Sequence, residues 1–346
     1  MPFHKTAHEY RLPKSGGGIH SLLLSEVAVD QPKPSEVLLK IHAVSLQYRD
    51  VAIATGTFPL PVKDNLVPGS DCAGEIVSVG EDVEDWKQGD KVCVHVSPAL
   101  IHGQPTPKAH DAFGGALDGV LVEYRTFPAQ VLVRFPDHLS YEEASTLPCA
   151  ALTAYNALMG PKPLKGGDTV LVLGTGGVST FALQFAVASG ATVILTSSSD
   201  DKLQIAKRLG AQHVINYQKN SDWHKEVLNV TKGLGADHII EVGGPGTLPK
   251  SFQAVKYGGW IHSIGAVATS DERVHAGFAV IHRSSVLRGI IAGSMMQFND
   301  MNRLLSAKKI HPQVDRVFSF HETKDAFEYF ASQKHVGKVV IKVSID

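Results

Sequence analysis

The feature that most constrains this chain is a five-residue run, Thr169-Val170-Leu171-Val172-Leu173, that breaks into Gly174-Thr175-Gly176-Gly177-Val178-Ser179. A helical pattern follows over 179–189, with apolar Phe181, Leu183, Phe185 and Val187. A continuous apolar run of strand length suits a strand buried on both faces. Gly174 permits a tight turn, and Gly176 lets the backbone approach a bound group closely. Ser179 takes the place of a third glycine and is still small enough for close helix packing. Unpaired N–H groups at the helix start suit a pyrophosphate. A glycine turn alone is a weak signal. Here it opens an alternating series, with strands expected over 192–195, 213–215, 238–242, 260–264 and 286–291. Helices are expected over 201–209, 222–231 and 248–255. Such alternation means parallel βαβ units, an α/β fold with a doubly wound parallel sheet and a dinucleotide site.

The rest of the chain reads differently. Before residue 140, short apolar or alternating runs (Leu22 to Leu24, Glu36 to Ile41, Glu75 to Val79) are separated by Pro, Gly, Asp and Asn clusters, an all-β pattern. Ser140-Tyr141-Glu142-Glu143 is a capping-box signature, and a second helical stretch runs from 152 to Gly160-Pro161. The last fifty residues return to a helix over 323–330 and a strand over 337–343. A length of 346 residues has room for two domains. With 33 Lys+Arg against 34 Asp+Glu, there is no electrostatic footprint for nucleic acid or an anionic membrane. Three cysteines exclude a disulfide framework, a four-cysteine zinc lobe and an iron–sulfur cluster, and fit a reducing compartment. The polar N-terminal segment lacks a signal-peptide core, the C-terminal residues match no common address, and no apolar run has membrane-spanning length. The expectation is a cytoplasmic protein.

The second strand of the series ends at Thr196-Ser197-Ser198-Ser199. Where an NAD-preferring site has an acid for the ribose hydroxyls, Ser197 stands, 23 residues beyond Gly174. Hydroxyls followed by Lys202 suit a 2′-phosphate, which needs donors and positive charge. This favours NADPH, although Asp200 and Asp201 pull the other way; the same residues also read as a capped helix start.

Beyond these segments, ordered matches run along nearly the whole chain. They include Val44-Ser45-Leu46-Gln47-Tyr48-Arg49-Asp50, Pro68-Gly69-Ser70-Asp71-Cys72-Ala73-Gly74, Gly114-Gly115-Ala116-Leu117-Asp118-Gly119, Thr146-Leu147-Pro148-Cys149-Ala150-Ala151, Glu241-Val242-Gly243-Gly244 and Gly337-Lys338-Val339-Val340. Together they make the chain resemble a medium-chain dehydrogenase/reductase of the zinc-independent, quinone-oxidoreductase-like branch. The resemblance implies a GroES-like β-rich catalytic domain from 1–150 and 294–346, a Rossmann domain over 151–293, and a small-molecule substrate in the cleft. It implies that Ser198, Lys202 and Tyr217 hold the adenosine phosphate. Thr153, Gly243 and the segment holding Gly265, Ala266 and Val267 match positions near the ribose, pyrophosphate or nicotinamide, and Lys338 matches a region near the cofactor. It also implies a homodimer paired through the strand over 286–291.

In zinc-dependent relatives the catalytic ligands stand at the positions of Gln47, Ser70 and Cys149. A neutral amide and a hydroxyl do not replace a thiolate and an imidazole, so no metal is expected. His95, His102 and His110, in the segment where a structural zinc lobe would fall, read as solvated loop histidines. Without a metal to stabilise an alkoxide, hydride transfer to a quinone or α,β-unsaturated carbonyl is the chemistry easiest to support. Candidate catalytic residues are Tyr48, which reads equally as a proton donor or a cleft wall; Gln47, to orient the carbonyl; and Asp50, which organises backbone or ribose contacts. Arg49 reads as a structural ion pair, Cys149 as a small buried hydrophobe, and His262 as a satisfied core histidine. Met295, Met296 and Phe298 read as pocket lining, core or interface. Two rivals stand beside this reading: metal-independent alcohol/carbonyl oxidoreduction, and a nucleotide-binding protein without important turnover.

Overall fold

The computed structural model of the chain describes residues 6–103, 105–268 and 275–344. Residues 1–5 and 345–346, inside the terminal segments read for targeting signals, lie outside the described residues. The chain divides into two compact units, Met1–Leu152 with Gly293–Asp346, and Thr153–Ala292.

The first unit is a mixed sheet whose strands lie in the order Val314–Ser319, Lys338–Lys342, Glu36–Ser45, Asp71–Val79, Lys91–Val94 and Leu132–Arg134. Tyr124–Pro128 pairs with Glu36–Ser45 off this path. The first two strands are parallel and the other pairs antiparallel. A separate hairpin pairs Thr6–Arg11 with Leu23–Ala28. Leu39, Ile41, Val44, Ile76, Phe127, Phe327, Val339 and Ile341 are buried together in its core. Each such side chain contributes about 1.5–3 kcal/mol by leaving water.

The N-terminal part is not all β. An eight-residue helix, Tyr48–Thr55, follows the long strand directly. Its start is set by Asp50, whose Oδ2 accepts from the Gln47 backbone N–H at 2.7 Å. Two turns are too short for a clear 3.6-residue apolar pattern, which is why a scan for periodicity passes over it. The capping box at Ser140 is present, with Ser140 Oγ accepting from the Glu143 backbone N–H at 3.2 Å, but it opens only Tyr141–Ala144. A widened turn over Leu147–Ala151 then leads into the helix Leu152–Met159.

The second unit is a six-stranded sheet, parallel throughout, ordered His213–Asn216, Thr192–Ser197, Thr169–Leu173, Ala236–Glu241, Val255–Ser263 and Val286–Gly289. In chain order the strands read 3-2-1-4-5-6, the Rossmann arrangement, with a switch point between the first and fourth. Leu171, Ile194, Ile239 and Ile261 are fully buried at its centre, matching the continuous apolar runs of the sequence. The last strand ends at Gly289, so Ile290 and Ile291 are not part of it. No described helix is long and apolar enough to cross a membrane.

Candidate functional site

The carboxyl ends of the first, fourth and fifth parallel strands bring three loops to the switch point. The first is the glycine turn. Gly174 has φ +74°, a left-handed conformation that favours glycine. Gly176 is the extended N-cap of the twelve-residue helix Gly177–Ala188, and a Cβ built on it would meet no atom within 4 Å. That open space beside unpaired helix N–H groups, with Val178 in the first turn, fits a dinucleotide pyrophosphate. Ser179 Oγ donates to the Leu173 carbonyl at 2.7 Å, locking strand to helix where a third glycine was absent.

At the end of the second strand Ser197 is buried and Ser198 exposed. The Tyr217 backbone N–H donates to the Ser197 carbonyl at 3.0 Å, which brings the exposed Tyr217 to the end of the second strand. Lys202 is half-buried on the helix Asp200–Arg208 that starts there. Asp200, the acid that argues against a phosphate, is engaged: it accepts from Asn216 Nδ2 at 2.7 Å and Lys219 Nζ at 2.5 Å. Those contacts, that of Lys219 foremost, hold its carboxyl below the usual carboxylate range. Gly243 follows the fourth strand, and Gly265, Ala266 and Val267 follow the fifth, the latter two exposed. Thr153 is buried on the helix Leu152–Met159.

The first unit carries a second polar cluster, built around Asp71. Its Oδ2 accepts from Gln47 Nε2 at 2.5 Å and from the Cys149 backbone N–H at 3.0 Å, and its Oδ1 accepts from Ser70 Oγ at 2.6 Å. Lys338 is buried close by, its Nζ donating to the Leu46 carbonyl at 2.5 Å. Burial raises the Asp71 carboxyl, and the Lys338 charge is the largest opposing effect. Burial likewise pulls the Lys338 ammonium down, opposed by Asp71 first. Lys338 thus has a hydrogen-bond partner inside the first unit. Asp50 is pushed up to about 6 by burial, against the pull of Arg49. Tyr48, on the first turn of the same helix, is 49% exposed.

The residues at the zinc-ligand positions do not fit zinc. Gln47 offers a neutral amide and Ser70 a hydroxyl, and both direct a hydrogen at Asp71. The Cys149 thiol is pushed up to about 12, by burial first and the Asp71 charge second, so it is not a ready thiolate. Among the described residues no group of three or more His, Cys, Asp or Glu is placed to hold a metal ion.

Two further residues differ from the sequence reading, and three others are sorted among the places it left open. His95 is not solvated: it is fully buried, with Nδ1 accepting from the Ser97 N–H at 3.2 Å and Nε2 2.9 Å from the Gly293 carbonyl. Arg49 donates to the Phe113 carbonyl at 3.1 Å and stands 5.8 Å from the Phe58 ring centroid, where an ion pair was expected. Met295 and Phe298 are buried while Met296 is 66% exposed, so one helix splits the three between core and surface.

Sequence reasoning missed the hydrogen-bonding roles of two buried carboxylates, Asp71 and Glu241. The usable signal was a charged residue bounding an apolar strand, as in Ser70-Asp71-Cys72-Ala73 and Ile239-Ile240-Glu241.

Two family models match the chain, an alcohol dehydrogenase GroES-like domain over 33–137 and a zinc-binding dehydrogenase over 177–307. A zinc-type alcohol dehydrogenase-like protein of Schizosaccharomyces pombe is 49% identical, over 94% of this chain and 96% of that one. The chain belongs to the medium-chain dehydrogenase/reductase superfamily. This medium-chain dehydrogenase/reductase is also 30% identical to an NADPH-dependent alkenal/one oxidoreductase of Arabidopsis thaliana, over 94% of its own length and 77% of the relative's. The crystal structure of a putative alcohol dehydrogenase from Sinorhizobium meliloti 1021 superposes with a TM-score of 0.91 at 36% identity, covering 99% of this chain and all of that one. The chain is thus an oxidoreductase that binds a nicotinamide cofactor, with a GroES-like domain and a Rossmann-like parallel sheet.

Proposed function

We propose that this oxidoreductase is an NADPH-dependent, zinc-independent reductase of quinones or α,β-unsaturated carbonyls. The observation that carries the reading is the Asp71 cluster: the side chains at two zinc-ligand positions, Gln47 and Ser70, and the Cys149 backbone N–H at the third are turned into a hydrogen-bond network. Such a site lacks a Lewis acid to stabilise an alkoxide and suits an acceptor that is already activated. The bound nicotinamide would supply hydride to the β-carbon of the acceptor. Negative charge then develops on the acceptor's carbonyl oxygen, where positioned donors act. Gln47 spends one amide N–H on Asp71 and keeps a second for that oxygen. The accessible Tyr48 phenol donates to the same oxygen or to the α-carbon. Asp50 holds the helix start that carries both.

For the cofactor, Ser197, Ser198, Lys202 and Tyr217 supply donors and charge for a 2′-phosphate, and the pairing of Asp200 with Lys219 mutes its repulsion. The name of the Arabidopsis relative agrees with this reading. The three described cysteines are free, as in a reducing cytoplasm. A homodimer is supported by the strand Val286–Gly289, which edges the parallel sheet, and by the nearby helix Ala276–Arg283 with Phe278 and Ile281 exposed. A monomer in sedimentation at micromolar concentration contradicts the dimer.

Stopped-flow spectra with NADPH and a panel of quinones, enones, aldehydes and ketones test the reaction. Oxidation by enones and quinones is expected. Oxidation by saturated carbonyls alone would transfer the assignment to alcohol/carbonyl chemistry, and binding without oxidation would point to a non-catalytic nucleotide-binding protein. Elemental analysis should find well under one zinc per chain; one tightly held zinc overturns the zinc-independent reading.

A further inference from the structure

Glu241 ends the fourth parallel strand and is fully buried. Its Oε1 accepts from the backbone N–H groups of Gly243 at 2.9 Å and Gly244 at 3.0 Å, and from Thr247 Oγ1. Its Oε2 accepts from Ser251 Oγ. Four donors converge on one carboxylate, replacing the water lost on burial with charge-assisted bonds. The same residue's main chain reaches the next loop, its carbonyl accepting from the Ile264 N–H at 2.9 Å. The two loops then interlock. The Ala268 N–H donates to the Gly243 carbonyl at 2.9 Å. Gly244 has φ +74°, and a Cβ built on it would lie 2.7 Å from the Ala266 Cα. Glu241 thus ties the loop holding Gly243 to the loop holding Gly265, Ala266 and Val267.

The sheet order tells which end of a dinucleotide these loops serve. In a 3-2-1-4-5-6 sheet each half binds one mononucleotide across the switch point. The glycine turn and the serines at the second strand belong to the first, adenosine half. The loops after the fourth and fifth strands belong to the other, nicotinamide half. We infer that Glu241 is a positioning residue for the nicotinamide half of the cofactor site, shaping its backbone while leaving the adenosine half untouched. This inference rests on the dinucleotide reading and names a residue that neither touches the reacting atoms nor faces the phosphate.

The test compares a whole cofactor with its adenosine end. Titration calorimetry of the full chain measures NADPH against 2′,5′-ADP, and NADH against AMP, for the wild type and two variants. Glu241→Met removes the acceptors at similar length. It is expected to weaken dinucleotide binding at least tenfold while the adenosine fragment stays within twofold. Glu241→Gln keeps one carbonyl acceptor for the glycine N–H groups and should recover most of the loss. Should Glu241→Met fail to fold, Thr247→Val removes one donor with the carboxylate in place and should give about a threefold loss of the same selectivity. Equal weakening of dinucleotide and fragment, or no weakening of either, overturns the inference. The wild-type titrations judge the parent reading separately: binding of NADH and AMP in place of the phosphorylated pair sinks the NADPH assignment and leaves the Glu241 comparison standing on that pair, whereas binding of neither dinucleotide ends both.

Discussion

The two units each bury a carboxylate hub, and the hubs are made in different ways. Asp71 gathers Gln47, Ser70 and the Cys149 N–H, with the buried Lys338 as the main opposing charge, from four separated segments of chain. Glu241 gathers Gly243, Gly244, Thr247 and Ser251, all within ten residues. On the proposed reading one hub arranges side chains for chemistry at a substrate, and the other sets backbone for a cofactor. A hub built across the fold leans on its counter-cation, because an unpaired buried charge is costly. A local hub leans on amide and hydroxyl donors.

The largest expected effect breaks the first hub. Lys338→Met leaves the buried Asp71 without the charge that most opposes its desolvation and should cost about 3–5 kcal/mol in urea unfolding. Adding Asp71→Leu should return part of that loss; a double variant no better than the single would show that the charges are not coupled. Next comes catalysis on the first unit: Tyr48→Phe should lower kcat about a hundredfold with NADPH affinity unchanged, the scale of a lost acid. An unchanged kcat would make Tyr48 a wall.

The second unit answers to pH. His238 Nδ1 and His262 Nε2 lie 3.0 Å apart, both rings buried in adjacent strands. Burial first, then the neighbouring His238, takes His262 down to about 3. The unfolded chain therefore binds the proton that the folded one refuses. The contribution of His262 is fully present above the ordinary histidine range and is lost as pH falls toward 3, with a slope of up to about 1.4 kcal/mol per pH unit. Urea midpoints across that window should fall for the wild type and flatten in His262→Gln; parallel curves would refute the coupling. The smallest effects concern the loop after the second parallel strand, proposed to take the 2′-phosphate. Lys202→Ala should weaken NADPH about tenfold and spare NADH. Asp200→Asn should tighten NADPH about two- to threefold at low salt, less at high salt.

How far each hub could be read in advance follows from the same contrast. The strand-turn-helix at Gly174 and the alternation after it were legible, because buried parallel strands write their burial as unbroken apolar runs. The helix Tyr48–Thr55 was not, being two turns long. His95 was misread as solvated because a polar side chain in a loop-rich segment gives no sign of the carbonyl that meets it, here that of Gly293, 198 residues away. Glu241 sat in plain view at the end of an apolar strand, yet its role needed the loop's turn geometry.

The sequence alone determined a parallel α/β unit with a glycine turn for a dinucleotide, a strand-rich partner, and the missing cysteine and histidine at the zinc positions. These are local properties: periodicity, turn chemistry and residue identity act over a few residues. Tertiary structure decided that Gln47 and Ser70 point at Asp71, that Lys338 is buried with its Nζ on the Leu46 carbonyl, and that Asp200 is turned toward Lys219. Those contacts depend on where distant segments close upon one another, and the partners of a buried charge are chosen only when the chain has folded around it.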